Sequence, residues 1–471
     1  MSSFVAVPFI KLVYGEEEPF YYARMFSRSS FVGILTRKDN MKTVNIGLIG
    51  FGTIGTGVVK ALLTRSSFIK NKKGVSLNLS RIADKDLRTK RAVSVPKSKL
   101  TNNTGNILDD PAIDIVVELV GGIHPAKEFV LKALNNGKHV VTANKALLAD
   151  SGKEIFDAAR RNGVTVKFEA SVGGGIPVIK CLSDDFVANK IQAIYGIING
   201  TSNYILSKME EEGKAFKDAL KDAQVLGIAE RNPVLDISGM DSAHKIAILT
   251  LLGFGKYVSL KDIFVEGIED VELSDIQYAK EMGYTIKLLA IAKEDGGQLD
   301  VRVHPTLLSS RHLLAGVRGA ENAIYIKGDL VGESLLYGEG AGEKATSSAV
   351  VSDIMDIAAN VAKGSEMTLP KLDFNSGLKV MKQIGMVKSK YYIRLMAVDK
   401  PGVLASIAGV LARFRISIAD VTQKGRNKRY AVPIVMMTHE AVEADLRKAL
   451  AMIDKFRFIS GKPVAVRMEM S

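Results

Sequence analysis

A glycine-rich turn constrains the fold of this chain more than any other feature of its sequence. Residues 44–49 are apolar like a buried strand, residues 54–63 have helical character, and the turn between them follows the pattern Gly-x-Gly-x-x-Gly. In such a unit the first glycine allows a tight turn, the second lets the backbone approach a pyrophosphate, and the third allows close helix packing. The helix N-terminus then faces the phosphate charge. The sequence therefore predicts a dinucleotide site, rather than a ligand-free turn, at Gly50, Gly52, Thr53, Ile54 and Gly55.

Strand-like and helix-like segments continue to alternate after this turn. Strands alternating with helices in short cycles favour a parallel sheet that is covered on both faces. The fold class is therefore predicted as α/β, with a Rossmann-type doubly wound parallel sheet. Further strands are predicted at 76–83, 113–120, 139–142 and 164–169, and helices at 125–135 and 151–162.

The end of the second strand should indicate which dinucleotide binds. A carboxylate there favours the free ribose hydroxyl of NAD, whereas a cation accommodates the 2′-phosphate of NADP. Here Asp84 is followed directly by Lys85, so the two residues give contrary signals. NAD and NADP both stay open, with NADP slightly favoured and Lys85 counted among the cofactor-binding candidates.

The composition excludes several classes of protein. With 47% hydrophobic and 24% charged residues, the chain is not dominated by disorder, collagen repeats or membrane spans. No stretch approaches the roughly 18 apolar residues of a transmembrane helix. Cys181 is the single cysteine, which excludes an intramolecular disulfide and a cysteine-built zinc site. A reducing, cytoplasmic location is therefore predicted.

A group of unusual polar residues lies between residues 196 and 249. Residues 196–204 are predicted to form a loop, and Asp241 and Lys245 are four residues apart on a predicted helix, so they share one face. Glu230 and Asp236 precede them on a segment that a proline and a glycine are expected to keep non-helical. Three carboxylates and one ammonium group can together hold a substrate amine and carry a proton. The alternative is a surface ion pair worth about a few tenths of a kcal/mol.

These motifs together resemble the homoserine dehydrogenase family over about residues 41–385. Each segment is of modest specificity alone, and the resemblance rests on their order and spacing. The matching segments are 117–122 (VELVGG), 142–145 (TANK), 168–177 (FEASVGGGIP), 227–245, 301–305 (VRVHP) and 337–342 (YGEGAG).

The resemblance implies a reversible hydride transfer between NAD(P)H and aspartate 4-semialdehyde, which yields L-homoserine. It implies that Lys245 is the proton donor to the developing alkoxide, and that Asp241 and Glu230 contact the substrate. The other positions matched to the family are Asp236 as a further substrate-binding candidate, Lys145 near nicotinamide and substrate, and Gly227 and Gly342 on the cofactor side.

The resemblance also implies a bound monovalent cation such as Na⁺. Its ligands would be main-chain oxygens of Glu169, Val172, Gly174 and Ile176, because glycine-rich backbone can expose several carbonyl groups to one ion. The alternative is a tight turn that follows a strand and binds no ion.

The C-terminal segment has a pattern of its own. Strands predicted at 391–398, 416–423, 431–438 and 464–468, with helices at 401–414 and 441–453, give the β-α-β-β-α-β order of a ferredoxin-like unit. With the Asp-x-Pro-Gly turn at 399–402, this segment resembles an ACT domain. That implies an amino-acid effector, namely threonine, and pairing of subunits in a homodimer or homotetramer. The alternative is a ferredoxin-like unit used only for assembly.

Five segments are therefore predicted along the chain. They are an N-terminal extension of doubtful function (1–40), the nucleotide-binding domain (41–170), a catalytic and dimerisation domain (171–345), helices returning to the nucleotide-binding domain with a linker (346–387), and the ACT domain (388–471). Two alternatives for function stay open, namely another Rossmann-type amino-acid dehydrogenase and a non-catalytic amino-acid-sensing protein. The sensor is expected to have lost the lysine or the carboxylates, whereas Glu230, Asp241 and Lys245 are all present.

The net charge of +13 is mostly a local feature. Residues 388–429 hold ten Lys or Arg and two acidic residues, so this segment alone contributes +8. Four of the cations, at Lys424, Arg426, Lys428 and Arg429, lie in a loop without aromatic residues on which bases could stack. Neither a nucleic acid nor a membrane is therefore predicted as a partner.

Overall fold

The computed structural model describes residues 42–364, 381–424 and 431–469. The predicted extension at 1–40, part of the predicted linker, and Arg426, Lys428 and Arg429 of the basic loop lie outside the described residues. In the part of the chain that is described, no helix is long and apolar enough to cross a membrane.

Six parallel strands form the first sheet, in the order β3-β2-β1-β4-β5-β6. Alternation of these strands with helices confirms the predicted doubly wound α/β arrangement. The strands are β1 (Thr43–Ile49), β2 (Ser76–Ala83), β3 (Leu100–Thr101), β4 (Ile115–Glu118), β5 (His139–Thr142) and β6 (Val166–Lys167), and the helices are α1 (Thr53–Thr64), α2 (Ser66–Lys73), α3 (Gly105–Leu108), α4 (Ala126–Asn135) and α5 (Lys145–Arg161).

Some element boundaries differ from those predicted. The helix expected to begin at residue 151 begins at Lys145, because the Asn144 side chain accepts a hydrogen bond from the Leu147 amide at 3.1 Å and caps it. Ser151 marks a kink inside this helix, with φ −118°. The strand expected at 164–169 is also shorter, because the chain enters a helical turn at Glu169.

The second sheet has eleven strands. Nine follow the order β12-β11-β7-β9-β10-β17-β13-β15-β14, while β8 pairs with β10 and β16 pairs with β13. The strands are β7 (Ile191–Ile197), β8 (Phe264–Val265), β9 (Tyr284–Asp295), β10 (Gln298–Ser309), β11 (Glu321–Gly328), β12 (Gly332–Glu339), β13 (Lys388–Val398), β14 (Ile418–Gln423), β15 (Ala431–Thr438), β16 (Ala441–Val442) and β17 (Val464–Met468). The helices of this part are α6 (Val178–Lys180), α7 (Gly200–Glu212), α8 (Phe216–Val225), α9 (Val234–Ile237), α10 (Met240–Phe254), α11 (Leu273–Glu281), α12 (Glu343–Lys363), α13 (Val403–Arg413) and α14 (Glu443–Ile453).

Helix α12 returns to the first sheet and packs on α1. The approach is close, because a Cβ atom added at Gly57 would lie 2.3 Å from the Ser347 hydroxyl oxygen. The same hydroxyl donates to the carbonyl oxygen of Ile54 at 3.2 Å. The chain after the second sheet therefore helps to fix the helix that follows the glycine turn.

The last four long strands form an antiparallel sheet in the order β17-β13-β15-β14, with α13 and α14 between them in the chain. This is the predicted β-α-β-β-α-β arrangement. Its sheet continues into the preceding one, because β17 pairs in parallel with β10 through Thr306–Arg467 and Leu307–Met468. The exact boundaries of the five predicted segments stay predictions.

A buried ion pair closes the joint between this C-terminal unit and α11. The Arg394 guanidinium donates to both carboxylate oxygens of Asp275, at 2.6 and 3.1 Å, and the Tyr392 hydroxyl donates to the same carboxylate at 2.9 Å. Arg394 and Asp275 are both buried. Loss of Arg394 would leave the buried Asp275 carboxylate without a cationic partner.

We predict that Arg394→Met destabilises the protein by about 3–5 kcal/mol, because Asp275 then loses its cationic partner while still buried. Urea unfolding of the full chain measures the change. The matched control is Lys424→Met, which removes the same charge from an exposed pair with Glu281 and should change stability by less than about 1 kcal/mol. Equal changes in the free energy of unfolding for the two substitutions would contradict the stabilising role of the buried Arg394–Asp275 pair.

Candidate functional site

The glycine turn has the geometry that its pattern predicted. Gly50 has φ +103°, and a Cβ atom there would lie 2.6 Å from the carbonyl oxygen of Leu119. A Cβ at Gly55 would lie 2.1 Å from the carbonyl oxygen of Gly50, so this position is fixed by helix packing. A Cβ at Gly52 would have no heavy atom within 4 Å. The turn therefore leaves open space at the N-terminus of α1, beside the exposed Thr53.

The carboxylate of Asp84 is already hydrogen-bonded at the end of β2. It accepts from the amide of Phe51 at 2.5 Å and from the amide of Asp86 at 2.7 Å. The Arg91 guanidinium lies 4.0 Å from Asp84 and 5.7 Å from the centre of the Phe51 ring. Lys85 is exposed at the same edge. Two cations therefore stand where the far end of a dinucleotide would lie.

Arg91 was missed by the sequence analysis. It lies seven residues beyond Asp84, in a segment without regular secondary structure, so no periodic pattern connects it with the glycine turn. The basic run at residues 88–91 was the only available signal.

Asp241 and the two candidate lysines lie together. The Lys245 ammonium donates to Asp241 Oδ2 at 2.7 Å and to the carbonyl oxygen of Ile198 at 2.6 Å. The Lys145 ammonium lies 3.2 Å from Asp241 Oδ1. The side chain of Asp241 is 8% exposed and that of Lys245 is 11% exposed, against 39% for Lys145. The pair is therefore not the exposed surface ion pair of the alternative interpretation.

Asn199 connects this pair with the remaining carboxylate. Its Nδ2 donates to Asp236 Oδ1 at 2.7 Å and to Asp241 Oδ2 at 2.8 Å, while its Oδ1 accepts from the Ser202 amide at 2.8 Å. The loop prediction for residues 196–204 was wrong, because this segment contains the end of β7 and the start of α7, which Asn199 caps. The sequence analysis gave Asn199 no role.

The two carboxylates differ in their electrostatic environment. Burial alone would raise the pKa of Asp241, but Lys245, Lys145 and the Asn199 amide hold it well below its ordinary value. Burial raises the pKa of Asp236, and the charge of Asp241 adds to this effect, while the hydrogen bond from Asn199 opposes it. Asp241 is therefore the firmly ionised member of the pair.

Asp236 and Glu230 precede α10, and one expectation about this segment was wrong. Asp236 lies in the one-turn helix α9, because Pro233 favours the start of a helix instead of preventing one. Glu230 is exposed, and its carboxylate has no hydrogen bond or ion pair within the described residues. The structure thus brings Asp236, Asp241, Lys145 and Lys245 together and leaves Glu230 at the surface.

Gly227 and Gly342 occupy comparable positions at helix ends. Gly227 follows α8 with φ +73°, and Gly342 precedes α12 with φ +107°. Both conformations favour glycine. Their assignment to the cofactor side stays a prediction.

The loop proposed to bind a cation is a tight, buried turn. The Glu169 carboxylate accepts from the amides of Ile179 and Lys180 at 2.8 Å each, and the Glu169 amide donates to Asp353. The Ile176 carbonyl oxygen accepts from the Val178 amide at 2.8 Å. Among the described residues no group of three or more His, Cys, Asp or Glu side chains is suitable for a metal ion. Any ion here would therefore depend on main-chain oxygens.

Comparison with known proteins decides the family. The sequence matches homoserine dehydrogenase over residues 177–355 and the NAD-binding domain of homoserine dehydrogenase over residues 50–169. It is 43% identical to the homoserine dehydrogenase of Neisseria gonorrhoeae, a match that covers 91% of this chain and 99% of that one. The chain belongs to the homoserine dehydrogenase family.

Further relatives and structures agree with this membership. The homoserine dehydrogenase of Pseudomonas aeruginosa is 40% identical over 91% of this chain and 99% of its own length. The crystal structure of a homoserine dehydrogenase from Thiobacillus denitrificans has a TM-score of 0.84 at 43% identity, and covers 91% of this chain and 99% of that one. An ACT domain is matched over residues 391–457. The predicted fold class, NAD(P)-dependent enzyme class and ACT domain are thus confirmed.

The two glycines of the turn provide a test of the cofactor site in this homoserine dehydrogenase. We predict that Gly55→Ala destabilises the fold by about 1–3 kcal/mol, because the new methyl group meets the Gly50 carbonyl oxygen. Gly52→Ala should change stability by less than about 0.5 kcal/mol, while the affinity for NADPH falls roughly tenfold or more, because the methyl group enters the space beside the phosphates. Thermal unfolding and NADPH fluorescence titration measure the two effects, and unchanged NADPH affinity in Gly52→Ala would contradict this position for the pyrophosphate.

Proposed function

We propose that this homoserine dehydrogenase interconverts L-aspartate 4-semialdehyde and L-homoserine at the group formed by Lys245, Asp241, Asp236 and Lys145. The buried contact between Lys245 and Asp241, at 2.7 Å, is the observation on which the proposal rests. A nearly buried ammonium group that is held by a carboxylate and a carbonyl oxygen has a fixed position and a proton to donate.

When bound, the nicotinamide cofactor supplies the hydride that adds to the aldehyde carbon. Lys245 donates a proton from Nζ to the carbonyl oxygen as negative charge develops there, and takes it back in the reverse direction. Asp241 stabilises the charged ammonium group before transfer, and the Ile198 carbonyl oxygen directs it. A cation at the developing alkoxide stabilises the transition state more than the neutral aldehyde.

The remaining charged groups suit an amino-acid substrate. We assign Asp236 to the substrate ammonium group, because one oxygen of its carboxylate has no bond within the described residues. Glu230 would contact the substrate from the exposed side, as its position before α9 allows. Lys145 is the more exposed lysine of the site, which favours contact with both nicotinamide and substrate.

NADP is the cofactor that we favour. Both oxygens of Asp84 accept main-chain hydrogen bonds, while Lys85 and Arg91 place positive charge at the end of β2. Such an edge suits a 2′-phosphate better than a free hydroxyl. A hyperthermophilic archaeal homoserine dehydrogenase in complex with NADPH is 26% identical and has a TM-score of 0.54, which is consistent with this preference.

A monovalent cation such as Na⁺ is proposed at the turn after β6. Main-chain oxygens of Glu169, Val172, Gly174 and Ile176 would hold it, and carbonyl oxygens are suitable ligands for a hard cation. Gly174 has φ +55°, and a Cβ atom there would lie 2.5 Å from the Gly340 carbonyl oxygen. The turn therefore has a backbone conformation that only glycine adopts without strain. The ion would stabilise the turn and supply no group to the reaction.

We further propose that the ACT domain binds L-threonine and pairs with a second subunit, giving a homodimer or homotetramer. The edge strand of the domain's sheet is β14, and its outer edge has no partner strand among the described residues. Unpaired edges of this kind favour association with another chain. A cytoplasmic location is proposed from the free, buried Cys181.

We predict that the purified protein oxidises NADPH with aspartate 4-semialdehyde, faster than NADH, and that Lys245→Ala lowers kcat by about 10²–10⁴-fold. KM should change less than kcat, because the lost proton transfer acts mainly in the transition state. Cofactor absorbance measures both values.

The matched control is Lys208→Ala. Lys208 forms an i,i+4 pair with Glu212 on α7, but on the surface, so kcat should stay within about twofold. Undiminished turnover in Lys245→Ala would disprove its role. Absence of turnover in the wild type would favour a non-catalytic sensor, and turnover with a different amino-acid substrate would favour another dehydrogenase.

We predict that L-threonine lowers the initial rate and raises the unfolding temperature, because a ligand that binds only the folded state stabilises it by about 2.7 kcal/mol at a hundred times its Kd. Rate measurements and thermal unfolding test this, with D-threonine as the control and light scattering to give the mass of the assembly. Equal responses to the two enantiomers would contradict a threonine site.

A further inference from the structure

One carboxamide joins the two carboxylates of the site. Asn199 directs both N–H bonds of its Nδ2 group at carboxylate oxygens, to Asp236 at 2.7 Å and to Asp241 at 2.8 Å. We propose that Asn199 is a positioning residue that holds Asp236 beside Asp241, so that the Asp236 carboxylate is charged and placed for the substrate ammonium. This inference rests on the proposed function.

Asp241 and Asp236 differ in the number of their partners, and Asp236 depends on the Asn199 amide. Asp241 is in contact with both ammonium groups of the site, Lys245 and Lys145. For the Asp236 carboxylate, the Asn199 amide is the one partner that the described residues provide. Without it, the Asp236 carboxylate would face the negative charge of Asp241 with no hydrogen bond from the described residues to fix its position. Like charges this close disfavour the ionised form of at least one group.

Asn199 also caps α7, and a test must separate this structural role from its contacts with the two carboxylates. Its Oδ1 accepts from the Ser202 amide and caps α7, and the Ser202 hydroxyl in turn donates to the main-chain oxygen of Asp236 at 2.9 Å. Serine and aspartate both cap helices well. Asn199→Ser and Asn199→Asp therefore keep the cap but remove the two N–H donors. Asn199→Asp also places a third carboxylate beside Asp236 and Asp241, so Asn199→Ser is the cleaner test.

The hydrogen bond from Asn199 to Asp236 should affect the pH dependence of the activity. A hydrogen bond donated to a carboxylate lowers its pKa, so loss of the Asn199 donors raises the pKa of Asp236 further above its usual range. The charged groups that face Asp236 are Asp241 and Lys245 on α10 and Lys145 on α5. His244 on α10 has a pKa lowered by burial, so it becomes protonated only below the usual range of a histidine. Activity in the variants should therefore be lost at a higher pH on the acid side than in the wild type.

The experiment compares wild type, Asn199→Ser and Asn199→Asp over a range of pH. We expect KM for aspartate 4-semialdehyde to rise about tenfold or more, since a hydrogen bond to a charged group is lost, and the acid limb of kcat/KM to move upward by about one pH unit. The affinity for NADPH should not change. Asn189→Ser is the control, because within the described residues the Asn189 side chain bonds only the amide of Val331 and the carbonyl oxygen of Phe186.

Two outcomes would overturn the inference. The first is a wild-type acid limb and KM in Asn199→Ser with only a lower unfolding temperature, since that describes a helix cap alone. The second is an unchanged carboxyl pKa of Asp236 in a ¹³C NMR titration, a measurement that requires no turnover. Wild-type protein that is inactive with aspartate 4-semialdehyde would contradict the proposed function instead, and the NMR titration would still decide on Asn199.

Discussion

A carboxylate with an exposed fraction of 8% cannot stay charged without partners, and Asp241 obtains its partners from three separate parts of the chain. Lys245 comes from the next turn of α10, Lys145 from the start of α5, and Asn199 from the junction of β7 and α7. A buried charge that loses its partner is strongly destabilising. The contacts of Asp241 therefore tie together the first sheet, the second sheet and α10. The same group of side chains is the proposed reaction centre.

The surrounding fold holds this centre in place from behind. Helix α7 is fixed near its first turn by Asn203, whose Oδ1 accepts from the ammonium group of Lys287 at 3.0 Å. Lys287 is buried, which lowers its pKa to about 8, and it also donates to the Val317 carbonyl oxygen. The cap at Asn199 lies one helical turn before Asn203. This second buried polar contact therefore helps to fix the position of α7, and with it the position of the Asn199 carboxamide.

What the sequence predicted and what it missed differ in physical origin. The glycine turn and the pair of Asp241 and Lys245 are local, because their geometry follows from a few consecutive residues and from the helical repeat. Asn199 lies 42 residues before Asp241, and its role depends on the packing of β7 beside α10. Arg91 reaches Asp84 through an irregular loop that no periodicity describes. Glu230 lies exposed before α9, and its contact with the substrate, which rests on family likeness, stays a prediction.

The joint of the ACT domain with the catalytic domain follows the same rule of buried charge. Strands β10 and β17 pair over only two residues, and so short a pairing specifies its register weakly by hydrophobic pattern alone. Charged side chains supply the missing specificity. Arg467 on β17 donates to Glu266, directly after β8, at 3.0 Å, and Arg302 on β10, which is fully buried, pairs with Glu469 directly after β17.

A shift of β17 by one residue would turn Arg467 to the other face of the sheet and withdraw Glu469 from Arg302, so that buried charges on both sides would lose their partners. Buried ion pairs contribute little net stability compared with apolar packing, but their loss is costly. The charged residues at the β10–β17 pairing therefore determine the register of the two strands more than they add to the stability of the contact. The polar joint explains how an ACT domain with its own hydrophobic core is fixed in one orientation to the sheet beside the proposed reaction centre.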